Sequence, residues 1–132
     1  MNPASLDIAQ RLAAQGHGTF AGAATWGIFV AKEPQAPDGT VTVYDTSGES
    51  PDPDSDYWRP SVQVRVRHND YLVAFAKMEE LVNELTTDTL SFEINGTRYV
   101  GVYQFGSPQF LAFDDNDRAI LVANFNIVRQ TA

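Results

Sequence analysis

Residues 61–67, Ser-Val-Gln-Val-Arg-Val-Arg, alternate apolar and polar without a break. Successive side chains of a strand point to opposite sides, so Val62, Val64 and Val66 share one face and Ser61, Gln63, Arg65 and Arg67 the other. Such a strand is half buried, and its valine face needs a cover. The next stretch supplies one. Tyr71, Phe75, Met78, Val82 and Leu85 recur at helical steps, with Leu72 and Leu81 beside them. Lys77, Glu79, Glu80, Asn83 and Glu84 fill the outer side, and Asn69 or Asp70 is placed to cap. A strand wanting a cover beside a helix wanting a surface implies layered α and β structure.

The remaining elements extend this pattern. The opening segment reads as a helix that Asn2 or Ser5 caps, with Pro3 at its first position and Asp7 near its positive end. Leu6, Ala9, Leu12 and Ala13 form its apolar stripe with Ile8 beside it, and Gly16 and Gly18 end it. Residues 26–32 read as a strand, with Gly27 marking a weak point or bulge. Pro34, Pro37 and Gly39 make a turn, and 40–45 alternate as a second strand. Asn95-Gly96 sets a tight hairpin over 91–105. Residues 108–130 read as a second hairpin with Asp114 to Asp117 at its tip. The order predicts an α+β fold over one domain, 1–132: a largely antiparallel, mixed sheet with two helices packed on one face.

Composition removes whole classes of function. The chain holds no cysteine, so disulfides, thiolate zinc sites and cysteine nucleophiles are excluded. No run approaches the roughly 20 apolar residues of a membrane helix, and the first residues lack the pattern of a signal peptide. Net charge is −8 with nine scattered basic residues, which argues against tight binding of nucleic acid. The same sign would let nucleic acid slide past without sticking.

The sequence 45–60, DTSGESPDPDSDYWRP, is the most unusual stretch. Asp52, Asp54 and Asp56 match the first ligands of a calcium-binding helix–loop–helix. The match then fails: Tyr57 stands where the turn needs Gly, Gln63 where it needs Glu, and Pro53 stiffens the loop. A solvated loop of extended Pro-Asp character fits better. Asp114, Asp115 and Asp117 suit either a hairpin tip or a weak cation site. His17 and His68 sit at element ends, outside any two-histidine motif. Neither a nucleophile elbow, a dinucleotide fingerprint nor a phosphate loop is present, and Asn95-Gly96-Thr97 reads as a turn before it reads as a glycosylation site. Arg65 and Arg67 suit pairing with carboxylates of a neighbouring subunit or an ordinary solvated face. Tyr57 and Trp58 suit a contact anchor or a lid over a sheet edge. The residues alone describe an acidic α+β protein without catalytic machinery or cofactor.

The order of these segments resembles the bacteriophage minor capsid / tail-terminator family, the head–tail joining proteins of long-tailed phages. The likeness runs through the opening helix with its glycine turn, IAQRLAAQGHGTF, and through RPSVQVRVR followed at once by a helix. It ends in SPQFLAFDDNDRAILVANFNIVR, where Pro108, Phe110, Asp114, Arg118, Asn124 and Phe125 follow the family pattern; residues 21–27 depart from it. The resemblance implies a virion protein assembled in the host cytoplasm and placed at the head–tail junction. It implies a homo-hexameric ring that caps the tail tube, ends its polymerisation and presents a docking surface to the head connector or stopper. DNA would pass through the ring without specific binding. No catalytic residue or cofactor comes with the family. The candidate interface residues are Asp52, Asp54, Asp56, Tyr57, Trp58, Arg59, Arg65, Arg67, Asp114, Asp115, Asp117 and Arg118. Two alternatives stand beside this reading: a neck adaptor or minor capsid protein of the same fold without a terminating role, and a metal-dependent hydrolase built on scattered carboxylates.

Overall fold

The structure is a computed structural model that describes residues 1–50, 53–86 and 91–131. In chain order the elements are α1 (Ala4–Ala14), β1 (Thr19–Phe20), β2 (Gly27–Val30), β3 (Thr40–Glu49), β4 (Arg59–His68), α2 (Tyr71–Leu85), β5 (Phe92–Ile94), β6 (Thr97–Phe113) and β7 (Ala119–Thr131). The fold is α+β. The strands form a mixed sheet in the order β1-β2-β3-β4-β7-β6-β5. β1, β2 and β3 run parallel to one another; β3–β4, β4–β7, β7–β6 and β6–β5 pair antiparallel.

The valine face of β4 lies where its alternation predicts. Val62, Val64 and Val66 are fully buried and share one core cluster with Val41, Val43, Leu121, Phe125 and Ile127. Ile8, Ala9 and Leu12 of α1 and Ala74, Met78, Leu81 and Leu85 of α2 complete the cluster. α1 packs on β1 to β4, and α2 on β4, β6 and β7.

Both helices are turned from the faces their apolar residues suggest. α1 buries Ser5 and Asp7 along with Ile8 and Leu12. Its cap position falls on Pro3, which supplies no side-chain hydrogen bond. Asp45 of β3 does the work instead: its carboxylate accepts from the Ser5 N–H at 3.0 Å and the Ser5 hydroxyl at 2.6 Å. A remote carboxylate thus satisfies an orphan donor of the first turn and complements its dipole. α2 is capped by Asp70, which accepts from the Leu72 and Val73 N–H groups. It buries Lys77 and leaves Tyr71, Leu72, Val73 and Phe75 between 39 % and 73 % exposed. Lys77 can lie inward because its ammonium meets Glu80 at 2.7 Å and stands 5.4 Å from the Trp26 ring centroid.

The expected break between two hairpins is absent. β6 is continuous through Gly106-Ser107-Pro108, where the register with β7 shifts between Phe105 and Gln109. Gly106 adopts φ +76°, which an L side chain rarely holds, and the resulting bulge carries the strand past Pro108. Asn95 (φ +52°) and Gly96 (φ +76°) form the predicted tight turn between β5 and β6. The long 45–60 loop is shorter than expected, because β3 extends to Glu49 and β4 begins at Arg59.

Candidate interaction surface

The candidate residues divide among three places. The first is the β3–β4 end. Tyr57 and Trp58 are 40 % and 46 % exposed, beside an exposed Arg59. The Trp58 backbone pairs in both directions with Arg129 of β7 (2.7 and 3.0 Å), which holds the residue at the margin of the sheet. Arg59 reaches Glu49 at 3.9 Å, a solvated pair of little energetic weight. Trp58, Arg59, Glu49 and Arg129 line a shallow hollow of about 300 Å³. Asp54 and Asp56 are exposed in the same loop; Asp52 lies outside the described residues.

The second place is the sheet face opposite the valines. Ser61 donates to Asn126 at 2.8 Å and Gln63 to Asn124 at 3.3 Å, an uncharged polar ladder across β4 and β7. Arg65 and Arg67 close one end of it, and both pair within the chain to Glu33, at 3.4 and 3.2 Å. Arg67 is only 3 % exposed and donates further to the Pro37 and Asp38 carbonyls. It belongs to the interior and leaves no guanidinium for a neighbouring subunit.

The third place is the β6–β7 tip. Asp114 accepts from the Asn116 and Arg118 N–H groups and from the Arg118 guanidinium at 2.8 Å. Burial alone would raise its pKa; these donors outweigh it and hold the carboxyl below its ordinary value. Arg118 is 4 % exposed and donates to the Gln35 carbonyl at 2.6 Å. Asp114 and Arg118 are therefore a structural turn, and Asp115 and Asp117 are the exposed acids. The tip and the β3–β4 end lie at opposite ends of β4: Ser61 pairs with Asn126 and His68 with Ala119, seven steps and roughly 23 Å apart. Among the described residues no group of three or more Asp, Glu or His converges as a metal site would require.

Sequence reading missed an exposed aromatic surface. Tyr71 of α2 meets Phe110 edge to face at 5.5 Å, and Phe110 meets Phe113 at 5.3 Å. Phe75 stands 6.3 Å from Tyr71 and extends them into an aromatic shelf on the outer arm of β6, with Leu111 exposed between Phe110 and Phe113 in the strand. On its other side β6 has only the three-residue β5, paired to Thr97–Tyr99, so the edge from Val100 onward has no strand partner among the described residues. A long apolar edge of this kind marks a contact surface. The unbroken apolar run Phe110-Leu111-Ala112-Phe113, which does not alternate, was the available signal.

The outward features of this α+β fold are an aromatic edge, a polar ladder and charges that are largely paired within the chain. The sequence model of the bacteriophage tail terminator protein family matches residues 11–131, and the chain belongs to that family of structural virion proteins. No curated protein matches it. A chain in the solved virion of a native gene transfer agent (GTA) particle shares the fold, with a TM-score of 0.63 and 15 % identity over 97 % of this chain and 95 % of that one. Among the described residues no helix is long and apolar enough to cross a membrane.

Proposed function

We propose that the chain, acting as one tail-terminator-like domain over 1–132, forms a hexameric ring that caps the tail tube. The ring ends tube polymerisation and offers its far side to the head connector. Membership of the tail terminator family over residues 11–131 carries this reading. The surface supports it: a terminator needs self-contacts and two unlike outer faces, and the aromatic shelf, the polar ladder and the Tyr57-Trp58-Arg59 corner are distinct surfaces on one subunit. With both helices on one side of the sheet, the ladder side remains for a neighbour or a channel. The net charge of −8 keeps passing DNA from adhering. Tail length in particles lacking the protein tests the proposal. Overlong tails are expected. Tails of normal length that fail to join heads would instead make the protein a neck adaptor.

A further inference from the structure

The aromatic shelf has a counterpart at the opposite edge of the sheet. Phe20, Phe29, Val30 and Pro34 line an apolar pocket of about 420 Å³ beside β1 and β2. Phe20 is 36 % exposed there, and Lys32 stands exposed on the rim. The shelf carries the opposite charge: Phe113 leads directly into the tip that bears the exposed Asp115 and Asp117. Lys32, Asp115 and Asp117 form no ion pair among the described residues. Five strand intervals separate β1 from β6, roughly 24 Å, so Phe110 and Phe113 cannot reach the Phe20 pocket of their own chain, although the loop after β2 touches the tip through the Arg118–Gln35 bond.

We propose that the shelf of one copy seats in the β1–β2 pocket of the next, with Asp115 and Asp117 against Lys32. Every copy carries one shelf and one pocket, so the contact is head to tail and repeats until it closes. An isologous pair would need a surface complementary to itself, and an acidic aromatic shelf facing its own copy brings like charges together. The inference rests on the ring reading and supplies the faces that meet.

The absence of native cysteine makes the test direct. Lys32→Cys and Leu111→Cys are introduced singly and together in the full chain, both at exposed positions. Purified protein and particles made with it are then oxidised and run without reductant. The double variant is expected to give a ladder of dimers and higher multimers, several-fold above either single variant, because a disulfide needs Cα atoms within about 7 Å. Adding Phe113→Ser should remove the ladder while leaving the melting temperature in place. A double variant that stays monomeric overturns the proposal. So does Leu111→Cys alone crosslinking as well as the pair, which would mean shelf-to-shelf contact. Electron microscopy of the unmodified protein separates the two levels: rings without a ladder overturn this interface and leave the ring, whereas neither rings nor a ladder overturns both.

Discussion

Asp7 is fully buried, and its charge is held by a set of partners from distant parts of the chain. The Tyr99 hydroxyl donates to it at 2.6 Å and Asn95 at 2.8 Å, while Arg129 stands at 3.8 Å and also donates to the Tyr99 oxygen. Burial, then the bond to Asp7, pushes the Tyr99 phenol well above its ordinary value, so it remains a donor. Tyr99→Phe is expected to cost about 1–3 kcal/mol in denaturant titration. Asp7→Ala should cost more, about 3–5 kcal/mol, because Arg129 is left without its compensating charge. His17 presents both ring nitrogens to carboxylates, Nδ1 to Glu80 at 2.6 Å and Nε2 to Glu84 at 2.8 Å, and only the imidazolium form can donate to both. Burial lowers its pKa, but the bonds and charges of Glu80 and Glu84 outweigh this and raise it above 6.5. The stabilisation is therefore complete below the unfolded value of 6.5 and fades as pH rises through the higher folded value. For Glu80, burial raises the pKa, while Lys77 and His17 lower it further, so its contribution fades as pH falls through that depressed value. Thermal melts between about pH 6 and 8 should show a decline of about 3 °C, equivalent to about 1 kcal/mol. His17→Gln should remove that slope. A slope unchanged in the variant would assign it to another group.

At the scale of the element, α2 shows why a correct helix can be given the wrong face. Its apolar residues cover more than half the circumference, so periodicity alone does not choose which side packs. The choice falls to Ala74, Met78, Leu81 and Leu85, with Lys77 accommodated by Glu80 and Trp26. Leu81→Ala should therefore cost about 2–5 kcal/mol. Phe75→Ser, on the half-exposed side, should cost under about 1 kcal/mol in the same unfolding titration. Equal losses at the two positions would refute the observed rotation. The strand 61–67 and the turn at Asn95-Gly96 were legible because strict alternation and a positive-φ requirement are local facts. The cap from Asp45, the inward turn of Arg67 and the continuous β6 were not legible. Each depends on a partner far along the chain or on the partner strand β7 that carries a bulge through Gly106.

For the molecule as a whole, the sequence indicated the α+β class and the acidic balance, but not which charges remain at the surface. Arg67 and Arg118 looked like surface cations and lie inside, each paired with an acid, Glu33 and Asp114, that is itself largely withdrawn from solvent. Association through Lys32, Asp115 and Asp117 should weaken a few-fold as salt rises from about 0.05 to 0.5 M, since exposed pairs are screened within a Debye length. Light scattering across that range would check it, and salt-insensitive assembly would assign the contact to the apolar shelf alone. β7 follows every other described element in chain order yet lies between β4 and β6, as a keystone laid after the arch on either side. Until it is synthesised, no strand joins the β1–β4 portion to the β5–β6 hairpin, and the inner edges of both stand open. Nascent chains stalled before Ala119 should thus be caught by chaperones or aggregate, and fold together once the last strand emerges.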